Sequence, residues 1–153
     1  MRVAEIMTSA TVTDSTIGSL SKAADLMWRQ QTGSLVIVDG GEIVGIVTER
    51  DILRTIAVGK DVSSVVVGDV MTMDVITTTP DVPVRDAARI MAQHWIRHLP
   101  VVDDHGRLVG IVSQRDITGV FAALIRGAGV PEIDSDPLVR ERRLARLEQG
   151  DLD

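Results

Sequence analysis

The sequence predicts an α+β fold made of tandem β-α-β-β-α repeats, the two copies packed with pseudo-two-fold symmetry. Three observations predict it. The octapeptide GIVTERDI at residues 45–52 is rewritten as GIVSQRDI at 110–117, with six of the eight positions identical and the other two exchanging Thr for Ser and Glu for Gln. Sliding the chain against itself by 64 positions aligns Met7-Thr8 with Met71-Thr72, Ala23-Ala24 with Ala87-Ala88, Met27 with Met91 and Val38-Asp39 with Val102-Asp103, and self-similarity at a fixed period marks a repeated structural unit. Within each copy the apolar spacing then alternates between short β-branched runs and intervals of three and four, the signatures of strand and helix.

Each element follows in order. A β-branched run at residues 11–13, repeated at 75–78, opens each copy as a short strand. Leu20, Ala23, Ala24 and Met27, matched by Val84, Ala87, Ala88 and Met91, recur at three and four residues and form one buried helical stripe. Pro83 stands where a first helical residue is favoured, because its missing N–H would find no partner there. LVIV (35–38) with EIVGIV (42–47), and LPVV (99–102) with RLVGIV (107–112), are pairs of apolar strands joined by tight glycine-containing turns, hence two hairpins. DDHG at 103–106 replaces DGG at 39–41 and raises the offset to 65, an insertion that a hairpin turn tolerates. Ile52, Leu53 and Ile56, and then Ile117, Val120, Phe121 and Leu124, give each copy a second amphipathic helix. The first repeat is bounded at residues 1–60 and the second at 61–126. Residues 127–153 hold the linker-like GAGVPEIDSDP and a charged stretch, LVRERRLARLEQG, that reads as a solvated tail or a short helix.

Composition narrows the function classes. A chain of 153 residues has room for one domain or for two halves sharing a core, and halves of about sixty residues are marginal alone, so they are expected to pack together. The net charge of -6 and the aromatic content of 2% leave neither a phosphate-neutralising surface nor a base-stacking platform, so no nucleic-acid partner is expected. Without cysteine there is no disulfide framework, thiolate metal site or Cys nucleophile, which fits a reducing compartment. The opening MRVAEIMTSA carries a glutamate where a secretory leader needs an unbroken apolar region. No apolar run nears the roughly 18 residues of a membrane span. A cytoplasmic protein with no membrane partner is expected.

Chemistry concentrates at the repeated junction of strand and helix. A Thr or Ser followed three residues later by an acid, just before an apolar run, is a helix N-terminus signature, and capping alone would contribute about 1 kcal/mol per copy. The same geometry suits a ribose phosphate: free N–H groups and the helix dipole face the phosphate, the hydroxyl adds a donor, and a carboxylate one turn on accepts from ribose hydroxyls. Thr48 with Asp51 and Ser113 with Asp116 are the residues concerned.

In order along the chain, the IMT opening, the A-A-x-x-M helix, HLPVVD before the turn and the G-I-V-T/S-x-x-D junction resemble a CBS-domain pair, also called a Bateman module, over roughly residues 3 to 125. The resemblance implies a stand-alone regulatory module, with no catalytic function and no resident cofactor, that binds an adenine nucleotide (AMP, ADP or ATP) or another adenosine compound such as S-adenosylmethionine or NAD. It implies two sites, each shared between the halves. Site one would join Ile46, Thr48 and Asp51 to Met73, Val75, Ile96, Arg97 and His98. Site two would join Ile111, Ser113 and Asp116 to Ser9, Thr11, Thr32, Gly33 and Ser34. The apolar members would hold the adenine. Arg97 and His98 would bring positive charge to site one, where site two has Gly33 and Ser34, so site one should prefer the more highly phosphorylated ligand. Similar modules pair through helix faces, which implies a homodimer, and a regulated protein partner would read the bound state. Val36 stands where the second copy has Pro100, so the two hairpin entries should differ in shape.

Other signals weigh less. His94 and His98 are four apart, but no further ligand has a fitting spacing, so no metal site is expected. Ser113, His98 and Asp116 lack the G-x-S-x-G nucleophile elbow, and Ser113 already reads as a helix cap, so no catalytic residue is assigned. Trp28 and Trp95 are expected in the core, with a subunit interface as the alternative.

Overall fold

The computed structural model describes residues 1–10, 12–13 and 15–125. Thr11 and the charged C-terminal stretch lie outside the described residues. The elements are β1 (Val12–Thr13), α1 (Leu20–Gln30), β2 (Ser34–Asp39), β3 (Glu42–Thr48), α2 (Glu49–Ala57), α3 (Val84–His94), β4 (His98–Val102), β5 (Leu108–Ser113) and α4 (Gln114–Ile125), with single 3-10 turns at Val3–Glu5 and Val67–Asp69. The first repeat, and the second as far as Gly119, lie within one compact unit, Met1–Gly119, and a second unit begins at Val120.

The expected hairpins form. β2 and β3 pair antiparallel from Ser34↔Thr48 to Asp39↔Glu42, and β4 and β5 from His98↔Ser113 to Val102↔Leu108. Gly40 and Gly41, both at positive φ (57° and 89°), close the first turn in the conformation whose twist matches the flanking strands. In the second turn Asp103 Oδ1 accepts from the N–H groups of His105 and Arg107, both at 2.9 Å, which accommodates the inserted residue.

Each sequence repeat does not keep its own core. One cluster joins Leu20, Ala23, Met27, Leu35, Ile37 and Val47 to Val67, with Val62, Val65, Val70 and Met71 packed against it. The other joins Val84, Ala87, Met91, Leu99, Val101, Val112 and Ile117 to Val3, with Ile6 and Met7 against it. The opening segment of each repeat therefore crosses over and completes the core of the other. Main-chain bonds repeat the exchange with pseudo-two-fold regularity: Val3 N–H donates to Val82 and Val67 N–H to Gly18, both at 2.9 Å. Glycine makes the crossing close. A Cβ on Gly45 would lie 2.5 Å from Met71 Sδ, and one on Gly110 would lie 3.0 Å from the Thr8 carbonyl oxygen.

Several expectations need correction. Residues 75–78 do not form a strand; they make one parallel bridge, Thr78↔Val101, through Thr78 N–H to Pro100 O (3.0 Å) and Val102 N–H to Thr78 O (2.8 Å). The next bond in either direction would need an N–H from Pro80 or Pro100, and proline has none. In the first repeat Val36 takes the place of Pro100, and β1 pairs with β2 over Val12↔Val36 and Thr13↔Ile37. Pro83 is the N-cap of α3, with extended ψ of 140°, and its carbonyl starts the helix ladder. The face of α2 that is buried centres on Asp51 and Thr55, so Leu53 (66% exposed) and Ile56 (55%) point outward and only Ile52 packs on the core. On α4, Ile117 is buried, Val120 is half-buried and Phe121 is exposed. Trp28, at 76% exposure, is a surface residue on the last turn of α1, and Trp95 is exposed as well, so neither is a core residue.

Candidate functional site

β3 and β5 end at Thr48 and Ser113, and α2 and α4 start one residue later. At each junction a carboxylate folds back one turn. Asp51 Oδ2 accepts from the Thr48 N–H at 2.7 Å and the Thr48 hydroxyl at 2.8 Å. Asp116 Oδ2 accepts from the Ser113 N–H at 2.7 Å and the Ser113 hydroxyl at 2.6 Å, and the Asp116 N–H reaches Ser113 Oγ at 3.3 Å. These are capping boxes, so the structural role read from the sequence is filled in both copies. Each hydroxyl proton goes to the carboxylate, which corrects the expectation of a free donor there. At each junction both bonds from the Thr or Ser end on Oδ2, and the box makes no use of Oδ1.

The opening segments meet these junctions across the repeats. Ile46, buried, exchanges both main-chain bonds with Thr72 at 2.9 Å, which sets Met73, 72% exposed, at the next position. Ile111 exchanges the same two bonds with Thr8 at 2.9 Å, and Ser9 follows, also exposed. Val75 is half-buried and its N–H donates to Met73 O at 2.9 Å, a local turn. Ile96 packs against the core of the second half. Thr32 donates its hydroxyl to Ser34 O at 3.2 Å, and the Ser34 hydroxyl, 1% exposed, has no hydrogen-bond partner among the described residues. Thr11 is not among the described residues.

The residues before the two hairpins converge on one another. A Cβ on Gly33 would stand 3.1 Å from His98 Cε1 and 3.2 Å from Glu49 Oε2, so Gly33 of the first repeat lies against His98 of the second. Glu49, a site neighbour that the motif spacing does not single out, also pairs with Arg97 across the repeats at 3.8 Å. The signal for it was present in the motif itself, as one of the two positions at which the octapeptides differ. Burial, reinforced by the Arg97 charge, holds the His98 imidazole below its usual pKa of 6.5, against the opposing pull of Glu49 and Asp116. His98 is thus neutral near pH 7. That corrects the expected pair of cations: Arg97 supplies positive charge, and His98 does not. Among the described residues no group of three or more His, Cys, Asp or Glu is placed to hold a metal ion. No helix among them is long and apolar enough to cross a membrane.

The geometry has close counterparts. The family model for the CBS domain matches twice, at residues 3–58 and 67–123. A protein of Methanopyrus kandleri is 37% identical over 125 residues, 80% of this chain and 64% of that protein, so the chain spans just under two thirds of that relative's length. The CBS domain-containing protein YhcV of Bacillus subtilis is 39% identical over 116 residues, 75% of this chain and 81% of YhcV. Among solved structures, the CBS domain pair of protein MJ0100 in complex with 5-methylthioadenosine and S-adenosyl-L-methionine superimposes with a TM-score of 0.72 at 34% identity, covering 80% of this chain and 97% of that one. The CBS domain protein PAE2072 from Pyrobaculum aerophilum, complexed with AMP, gives 0.71 at 28% identity, covering 80% and 99%. The chain belongs to the CBS-domain family and carries two CBS domains in tandem.

Proposed function

We propose that this protein is a regulatory module that binds an adenosine-containing ligand of the AMP, ADP or ATP class between its two repeats. The observation that carries the reading is the reciprocal bridging: Ile46 with Thr72, and Ile111 with Thr8, set each hydroxyl-carboxylate junction beside the opening segment of the other repeat. In site one, Ile46, Met73, Val75 and Ile96 flank the adenine, Asp51 Oδ1 accepts from the ribose, and Arg97 meets phosphate. In site two, Ile111, Ser113 and Asp116 act with Ser9, Thr11, Thr32, Gly33 and Ser34, and no arginine or lysine is among them. Site one therefore takes the more highly phosphorylated ligand, through Arg97 alone. AMP on PAE2072 and S-adenosylmethionine on MJ0100 support the ligand class; NAD offers the same adenosine moiety. The module reads a ligand and passes its state to a partner, with no catalysis of its own and no resident cofactor. It works as a homodimer through exposed helix faces such as that of Leu53 and Ile56, and it acts in the cytoplasm.

A thermal-shift panel of AMP, ADP, ATP, S-adenosylmethionine and NAD tests this. A ligand present at 100 times its Kd and binding only the folded state adds about 2.7 kcal/mol, a shift of several degrees. No shift with any of them overturns the proposal. The second reading, a homodimerisation module without a small-molecule ligand, is favoured by the two closed capping boxes, which account for Thr48, Asp51, Ser113 and Asp116 without a ligand.

A further inference from the structure

The two junctions are alike in backbone and unlike in charge. Glu49 N–H donates to Gly33 O at 3.1 Å and Gln114 N–H donates to Arg97 O at 2.9 Å, so Glu49 corresponds to Gln114 and Gly33 to Arg97. The first helix start thus presents a carboxylate where the second presents a neutral amide. That carboxylate reaches across to the one cation of site one: Glu49 Oε2 lies 3.8 Å from Arg97 Nη2, with the two side chains 61% and 48% exposed. The counterpart pair, Gln114 and Gly33, has no charge to offer.

We propose that Glu49 is a charge gate on the first site, competing with the phosphate of an arriving ligand for Arg97. In the unloaded protein the guanidinium faces a carboxylate 3.8 Å away, an ion pair longer than a hydrogen bond. A ligand without phosphate gains nothing by displacing it, whereas a doubly charged phosphate offers Arg97 a stronger partner. An exposed pair of this length restrains binding by no more than about fivefold, weak enough to open and strong enough to rank ligands by charge. The gate rests on the proposed adenosine site for its ligand, but its chemistry needs only an anion at Arg97.

The test is calorimetry on the full chain with adenosine, AMP and inorganic pyrophosphate as probes, using wild type, Glu49→Gln, Arg97→Gln and the double variant. Glu49→Gln installs the residue that position 114 already carries in the same local setting. At low ionic strength it should tighten AMP and pyrophosphate about two- to fivefold and leave adenosine unchanged. The gain should vanish in the Arg97→Gln background and fade at about 1 M salt, where screening acts within about 3 Å. If adenosine binds and AMP gains nothing from Glu49→Gln, the gate is overturned and the adenosine reading stands. If adenosine and AMP bind none of the proteins while pyrophosphate gains on Glu49→Gln, the adenosine reading falls and the gate stands. A gain that persists without Arg97, or no binding by any probe, overturns the gate.

Discussion

Asp51 is the residue at which capping and binding separate. The two bonds its carboxylate accepts from Thr48 both end on Oδ2, so an amide oxygen in the same place could accept them, with the loss of charge near the helix start as the main cost. Asp51→Asn should therefore lower stability by only about 0.5 kcal/mol, while a ribose that depends on the anionic oxygen should bind roughly tenfold more weakly. Chemical denaturation and calorimetry with AMP on the same variant check the pair of outcomes; intact affinity would assign Asp51 to the cap alone. His98 makes a second residue-scale test. Its pKa is lowered in the folded chain, so below about pH 6.5 the unfolded state binds more protons and stability falls with falling pH. His98→Gln removes that slope: the two stability curves should run parallel above about pH 7 and converge or cross as pH drops toward 5, in urea melts across the range. The sequence marked His98 as a site residue by its place in HLPVVD, but the neutral state comes from burial and from Arg97. Neither is visible in a string of letters.

At the scale of elements, the stripes that face a core were legible and the boundaries set by hydrogen-bond supply were not. Leu20, Ala23 and Met27 of α1 and Val84, Ala87 and Met91 of α3 are buried at the spacings that predict them. The strand expected at residues 75–78 shrinks to one bridge because two prolines, distant from each other in sequence, withhold the donors on either side. The stripe of α2 was misassigned for another reason: its inward face is taken by Asp51 and Thr55, whose hydroxyl donates to Asp51 O at 2.8 Å, so polarity alone did not show which way the helix turns. The glycine within each octapeptide also has a partner that periodicity does not reveal. Gly45 lies under Met71, and a methyl group there must displace the thioether and approach the Thr72 carbonyl oxygen to 3.2 Å. Gly45→Ala should cost roughly 1–3 kcal/mol by overpacking. Met71→Ala in that background should return part of the loss, measured as non-additivity in a double-mutant cycle.

For the whole molecule, the repeat seen in the sequence and the lobe seen in the packing are different units, and the difference governs how the halves depend on each other. Val3 belongs by sequence to the first repeat, yet it is fully buried among Val84, Met91, Leu99 and Val112 of the second; Val67 does the converse among Leu20, Leu35 and Val47. An internal offset of 64 residues aligns the openings with each other and is silent on which core receives them. Exchange of openings also explains why halves of this size hold: each lobe borrows apolar area and main-chain donors that its own sixty residues do not supply, and neither can close without the other. Truncating either valine removes two methyl groups from a closed core and should cost about 2 kcal/mol. The location of the damage is the sharper outcome. Native-state amide exchange should show Val3→Ala loosening β4 and β5 first, although residue 3 precedes every strand and α-helix of the first repeat, and Val67→Ala loosening β2 and β3. If each substitution instead weakened the repeat to which it belongs by sequence, the crossed packing would be wrong, and with it the shared sites that depend on the openings lying against the opposite junctions.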